Sequence, residues 1–204
     1  MRSVTAHLRP AARLLTLSSR AAGPVPSPPL LRPRIRGIAM GTARVRSFSE
    51  IEAAFVEYVQ QTVYCTMVTV DRHNRPRARV VQPVWETVEE RPVGWLAVFR
   101  TPVKAAHLAR NPHTTYAYWH PRQDAVFVDS VSAWVHDRDT KLRAWELYRR
   151  NSPPGVGYDP HLYWSAGPDS PDYHLLRIDP WRVQVLRGSD LSSRIWAADP
   201  PPHP

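Results

Sequence analysis

Three β-rich segments follow one another with connections too short to carry the chain back across a sheet, and this restricts the fold more than any other feature. Val63 to Val70 is rich in β-branched and aromatic residues, and the turn Asp71-Arg72-His73-Asn74-Arg75-Pro76 leads from it into Arg77 to Trp85. The polar stretch Glu86 to Pro92 then leads into Val93 to Phe99. A parallel pair needs a crossover of about a dozen residues or more, so these strands are expected to run antiparallel.

The same pattern continues downstream. Thr114 to Trp119 and Ala125 to Val135 flank the turn His120 to Asp124, and Tyr173 to Ile178 is separated from Arg182 to Arg187 by Asp179-Pro180. Three helices are expected between the strands. The first runs from about 49 to 61, opened by a Ser49/Glu52 capping box, with Ile51, Phe55, Tyr58 and Val59 on one face. The second starts at Thr101-Pro102, with Thr as N-cap, and runs to Arg110 before Asn111-Pro112 stops it. The third spans about Asp139 to Arg150, with Leu142, Trp145, Leu147 and Tyr148 as core candidates. Residues 151–172 hold five Pro without periodicity and read as a long surface loop of the kind that borders sites. The expected fold is mainly β: six to seven antiparallel strands with two or three short helices, closed as a barrel because closure removes exposed edges.

Charge decides how the rest is read. The 204 residues carry a formal net charge of +9, a balance that invites a nucleic-acid partner. Seven of the 27 basic residues lie in 1–39, where there is no acid, leaving 20 basic against 18 acidic residues elsewhere. A near-neutral domain behind a basic tail has no domain-wide electrostatic footprint, which argues against nucleic acid as the partner. That tail resembles a transit peptide in composition, but Met40 just before the first organised segment favours an over-extended start. The expected organisation is a disordered or over-extended tail over 1–46, a barrel domain over 47–188 and a Pro-rich C-terminal tail over 189–204. Cys65 is the only cysteine, which excludes an intrachain disulfide framework and fits a reducing cytoplasm. No apolar run approaches the roughly 20 residues a membrane helix needs, so no membrane partner is expected.

Candidate chemistry concentrates in one stretch. Between Arg91 and Gln123 there is no acidic residue, while Arg100, Lys104, Arg110 and Arg122 all fall there. Lys104 sits in the first turn of the helix after Thr101, where the helix dipole disfavours a cation, so a compensating anion is expected. Helix N-terminal amides, the Thr101 hydroxyl and the Lys104 ammonium together form a plausible phosphate cradle. Arg77 and Arg79 alternate along a strand and share a face with Val81. Trp85, Trp95, Trp119 and Trp134 supply flat walls for a ring system, although ordinary core packing accounts for most such residues. The histidines show no paired spacing, so no metal site is expected, and no nucleophile elbow, zinc-protease motif or P-loop is present.

These residues resemble a known family. The run Arg77-Ala78-Arg79-Val80-Val81, the block Thr101-Pro102-Val103-Lys104-Ala105-Ala106-His107-Leu108, the stop Asn111-Pro112 and the segment Tyr173 to Val185 are similar to the pyridoxamine 5'-phosphate oxidase-like flavoproteins, over about residues 47–188. The resemblance implies a split β-barrel homodimer with FMN, or alternatively the 8-hydroxy-5-deazaflavin coenzyme, at the subunit interface. It implies cofactor contacts from Arg79, Val80, Val81 and Gln82 with Arg77 close by, and phosphate ligands from Arg100, Thr101, Val103 and Lys104. Val103 stands where the pyridoxamine phosphate oxidases carry a second basic residue, and Arg182-Val183-Gln184 lacks their late His, so a different small-molecule substrate is expected. The leading expectation is thus an FMN-dependent oxidoreductase of unknown substrate. A deazaflavin-dependent reductase, a non-catalytic flavin-binding protein and a nucleic-acid-binding barrel stand as alternatives.

Overall fold

The computed structural model describes residues 41–152, 155–157 and 159–199. The basic tail over 1–39 and the final residues 200–204 lie outside the described residues. Among the described residues there are nine strands: β1 (Thr42–Arg44), β2 (Cys65–Val70), β3 (Pro76–Val81), β4 (Val84–Val88), β5 (Arg91–Val98), β6 (His113–Trp119), β7 (Ala125–Val135), β8 (His174–Arg187) and β9 (Ser192–Ala197). Three helices accompany them: α1 (Ser49–Thr62), α2 (Pro102–Arg110) and α3 (Arg138–Asn151). The sheet runs β1-β9-β8-β7-β6-β2-β3, with β5 joined to β8 and β4 to β5.

The organising strand is β8. Its length lets residues 174–178 pair with β5 and residues 182–187 pair with β9, while β7 covers the other edge along nearly its whole length. Two separate strands were expected here, because Pro180 lacks the N–H that a ladder uses. The strand nevertheless continues, because a bulge absorbs the proline: Ser130 faces Pro180 and Asp129 faces Arg182, leaving Trp181 without an opposite residue. Arg182 closes the bulge by an ion pair to Asp129 at 3.1 Å.

The reverse correction applies upstream. Arg77 to Trp85 was expected as one strand, but Pro83 ends the ladder, so β3 pairs only with β2 and β4 only with β5. No hydrogen-bonded ladder links β3 to β4 among the described residues, so the sheet is not closed by hydrogen bonds there. At this gap the Tyr148 hydroxyl lies 2.5 Å from Gln82 O and 3.1 Å from both Ala97 N and Trp95 O, tying α3 to the point where the chain changes partner.

The expectation of six to seven antiparallel strands gives way to nine strands in a mixed sheet. The two additional segments are β1, which pairs with β9 in parallel, and β9 itself. Both fall in stretches expected to be tails. Short polar segments such as Thr42–Arg44 carry no periodicity of their own and become strands only because a neighbouring edge offers hydrogen-bond partners.

Helix positions follow the apolar periodicity closely. Ile51, Phe55, Tyr58 and Val59 of α1 are buried, and α2 begins at Pro102 and ends at Arg110 as expected. The Ser49/Glu52 capping box does not form: Ser49 is already helical, and Glu50 Oε1 instead accepts from the amides of Arg46 and Ser47 at 2.8 and 3.1 Å. Glu52 is directed to the Thr87 hydroxyl at 2.5 Å. In α3, Ala144, Trp145 and Tyr148 are buried while Leu142 and Leu147 are partly covered. Two core clusters result. One fills the space between α1 and the main sheet around Phe55, Met67, Tyr116, Tyr118 and Ile178, and the other packs α3 on β4, β5 and β8 around Trp95, Trp145, Trp164 and Tyr173. Gly94 is needed in the first because the Trp85 ring lies across it, and a Cβ there would fall 2.7 Å from that ring.

The hairpin between β4 and β5 carries avoidable strain. Val88 pairs with Arg91, so Glu89 and Glu90 form a two-residue turn, and both have positive φ (48° and 62°). Asn-Gly is the sequence such a turn favours, since a left-handed conformation costs about 1–2 kcal/mol for other L-residues. The double substitution Glu89→Asn, Glu90→Gly is therefore expected to raise the free energy of unfolding by roughly 1–2 kcal/mol, read as a higher urea midpoint. An unchanged midpoint would show that the turn is not strained.

Candidate functional site

A cleft of about 340 Å3 opens where β3, the end of β5, the start of α2 and the Tyr163-Trp164 turn meet. Its floor is Leu96, Ala97 and Val98 of β5, its basic side is Arg79 and Lys104, and its aromatic side is Tyr64, Phe99, Tyr163 and Trp164. The volume falls within the range of small-molecule sites. A second cavity, about 70 Å3 between α1 and β4, is lined mainly by Phe55, Val59, Val63 and Trp85 and is too small for a cofactor.

Lys104 is the electrostatic centre of the cleft. Although it carries an ammonium group, the residue is only 6% exposed, and its Nζ donates to Phe99 O at 3.0 Å. Burial first, and the nearby Arg79 charge second, push its pKa down to about 8. Arg79 donates to Thr69 Oγ1 at 2.9 Å and lies 3.8 Å from Met67 Sδ, and burial lowers its pKa too. No carboxylate lies within ion-pair distance of either cation among the described residues. Two partly desolvated like charges held together are unfavourable in themselves and become favourable when an anion enters between them.

Further groups are prepared for a ligand. Thr101 is the N-cap of α2, yet its side chain makes no capping hydrogen bond, and the first turn contains no acid. The buried Gln82 borders both this cleft and the small cavity beside α1; its Nε2 donates to Ser152 Oγ at 3.3 Å, and its Oε1 has no partner among the described residues. An orphaned buried acceptor is costly unless a ligand or water supplies a donor. Cys65, by contrast, is a buried thiol whose pKa burial pushes up to about 12, so it offers no thiolate near neutral pH.

Of the nine residues singled out in the sequence, Arg79, Val80, Val81, Gln82, Thr101 and Lys104 line this one cleft. Arg77, Arg100 and Val103 do not. Arg77 is exposed opposite Thr69, towards the outer end of β3. Arg100 lies over the Trp134 ring at 5.5 Å, and Val103 points outward with half of its surface exposed. None of Trp85, Trp95, Trp119 and Trp134 lines the cleft: Trp85 donates to Tyr118 Oη, Trp95 donates to Glu86, Trp119 is exposed, and Trp134 lies beneath Arg100. Sequence reasoning missed Tyr64, the β5 floor, Tyr163 and Trp164. The available signal was the aromatic pair inside the Pro-rich 151–172 segment, which two 3-10 turns at Pro160–Leu162 and Gly167–Asp169 hold against α3. Tyr64 is set at the mouth by Val63, whose φ of 65° and ψ of −61° form a classic γ-turn closed by Tyr64 N to Thr62 O at 2.8 Å. The Tyr64 hydroxyl then donates to Val156 O at 2.7 Å.

Comparison with solved structures identifies the fold. A protein from Clostridium acetobutylicum, described as related to general stress protein 26 of B. subtilis and of the pyridoxinephosphate oxidase family, superposes with a TM-score of 0.58 at 16% identity, covering 74% of this chain and 96% of that one. A pyridoxamine 5'-phosphate oxidase-related, FMN-binding protein from Nostoc punctiforme gives 0.52 at 16% identity, over 70% of this chain and 87% of that one. A heme-binding protein from Mycobacterium smegmatis gives 0.51 at 19% identity, over 71% of this chain and 56% of that one. No family model matches the sequence, and no curated protein matches it. The chain has the fold of the pyridoxamine 5'-phosphate oxidase-related proteins, and the resemblance read in its sequence holds at that level. Among the described residues, no helix is long and apolar enough to cross a membrane.

The electrostatics of Lys104 make a stability prediction independent of any ligand. Its pKa is lower folded than unfolded, so the unfolded chain binds more protons between about pH 8 and 10.5; its burial penalty is full below that window and fades as pH rises through it. Lys104→Met, with Phe99 O still accepting from Thr101 N, is expected to raise the unfolding free energy at pH 7 by about 1–2 kcal/mol. That gain should shrink at pH 10. Denaturant titrations at the two pH values check both, and a loss of stability at pH 7 would contradict the desolvation account.

Proposed function

We propose that this protein is an FMN-dependent oxidoreductase acting on a small molecule, and that it works as a homodimer whose subunit interface covers the cleft. One observation carries the reading: Arg79 and Lys104 line the same apolar, aromatic-walled cleft with no counter-charge within ion-pair distance among the described residues. A phosphate-bearing planar cofactor matches that arrangement, with charge at one end and a flat body along the walls. The FMN-binding neighbour of the same fold supports the choice of cofactor.

In this reading Arg79, Lys104, the Thr101 hydroxyl and the open N-terminus of α2 bind the phosphate. Val80, Val81 and the β5 floor bound the body of the cofactor and exclude water. Gln82 Oε1, which lacks a donor, accepts from an N–H on the polar edge of the ring. When bound, the flavin supplies the hydride or electron transfer, so no acid–base side chain is required of the protein. The deazaflavin coenzyme presents the same kind of anionic tail to the same cations and is the alternative cofactor. Haem would have to draw an axial ligand from Tyr64 or Tyr163, since the described cleft lining contains no His, Cys or Met, and it has no phosphate for the Arg79–Lys104 pair.

The dimer is part of the proposal because the rim is apolar and exposed. Val80 is 72% exposed, Tyr163 55% and Phe99 47%, apolar side chains of one cleft that a second copy would cover. A cytoplasmic location belongs to the same proposal; a single cysteine, which can form no intrachain disulfide, supports it.

Titration of the purified full chain with FMN, the deazaflavin coenzyme and haem, followed by absorption, tests the cofactor. Saturable binding of FMN is the expected result. Lys104→Ala should then weaken it by about tenfold or more, corresponding to loss of a charge-assisted hydrogen bond of roughly 1.5–3 kcal/mol. Absence of binding by either flavin would sink the oxidoreductase reading, and a haem Soret band in its place would redirect it.

A further inference from the structure

The inner face of α2 is unusual for a surface helix. Lys104, His107 and Leu108 stand three and four residues apart and so share one face, yet Leu108 is the only apolar member of this set. His107 is half-buried, and its Nδ1 lies 2.9 Å from Thr69 Oγ1. Thr69 is fully buried on β2, in the inward row Cys65, Met67, Thr69, where a Val would fill the same space without a polar atom. Its hydroxyl touches both His107 of α2 and Arg79, which donates to it at 2.9 Å.

The direction of these bonds follows from proton counting. A guanidinium only donates, so Thr69 Oγ1 accepts from Arg79 and keeps one proton of its own. Among the described residues His107 Nδ1 is the other group within hydrogen-bond distance of that hydroxyl, and a tautomer with Nδ1 as acceptor gives the Thr69 proton a partner. Thr69 thus links His107 to Arg79, and Arg79 is held by a bond whose donor is fixed. Arg79 spends one edge of its guanidinium on Thr69 and Met67, and its remaining N–H groups are left for the cleft.

We infer that Thr69 and His107 are positioning residues for anion recognition: they hold Arg79 beside Lys104, against the repulsion of the two cations, so that a phosphate meets a site already assembled. The inference rests on the proposed flavin site and assigns a specific task within it. Neither residue lines the cleft, so neither would contact the cofactor. Preorganisation of this type acts on the phosphate and not on the ring.

The discriminating measurement compares FMN with riboflavin, which has the same ring and no phosphate. Full-length wild type, Thr69→Val, Thr69→Ser and His107→Ala are titrated with each by fluorescence. Thr69→Val keeps the shape and removes the hydroxyl, so the FMN dissociation constant should rise roughly tenfold while that of riboflavin stays within about twofold. Thr69→Ser should restore the wild-type ratio. His107→Ala, at a half-buried position on α2, should lower the FMN preference in the same direction and carries the test if the core substitution fails to fold. Equal losses for both ligands in Thr69→Val and in His107→Ala, or an unchanged FMN preference in both, would overturn the positioning role while leaving the flavin site standing. A wild-type chain that binds neither flavin would remove the flavin reading, and this inference with it.

Discussion

The pairing of β7 with β8 is the constraint on which the rest of the molecule depends. One fourteen-residue strand serves β7 along one edge and divides the other between β5 and β9. That division lets a single sheet present two inner surfaces: one is covered by α1, and the other, built from β4, β5 and the first half of β8, is covered by α3. Such an arrangement requires β8 to bend without breaking, and the Pro180 bulge meets that need. A proline removes the N–H that a regular ladder would have used, and the extra residue Trp181 takes up the register.

The cleft lies where this order ends. At Gln82-Pro83 the chain leaves one ladder and joins another, so backbone groups there need partners from elsewhere; Tyr148 supplies a hydroxyl, and the Gln82 side chain keeps an acceptor unsatisfied. Beside this gap, two cations sit close together with no carboxylate to balance them. Each of these features works against folding stability. They are offset by the packing around them, the buried β5 floor, the Trp164–Tyr173 ring contact and the Thr69 hydrogen bonds. In the proposed reading an anionic ligand supplies the missing counter-charge.

Much of this was legible before the structure. The α2 boundaries were marked by Thr101-Pro102 and Asn111-Pro112, and Lys104 stood out because a cation in a first helical turn conflicts with the dipole. Arg79 and Val81 were placed on one face by strand alternation alone. What remained hidden has a common cause. Val103 and Arg100 belong to the same sequence block as Lys104, but a helix start turns successive side chains through about a third of a circle, so adjacency in the block does not give a shared direction. Tyr163 and Trp164 come from a segment with no periodicity, and only its packing on α3 brings them to the cleft.

The sequence by itself determined the three helices, most of the strand segments, the antiparallel sense of consecutive strands and the concentration of unbalanced positive charge around Lys104. These are local properties: side-chain period, turn residues and the spacing of charges act over a few residues. Tertiary structure decided that Pro180 would be a bulge and Pro83 a break, that β1 and β9 would be strands at all, and which of the neighbouring basic residues would meet. Those outcomes depend on which edge happens to be unpaired and which surface lies opposite, and such partners are distant in the chain. The Thr69 hydroxyl is the clearest case, because its meaning comes wholly from Arg79 ten residues away and His107 thirty-eight residues away, brought together only by the fold.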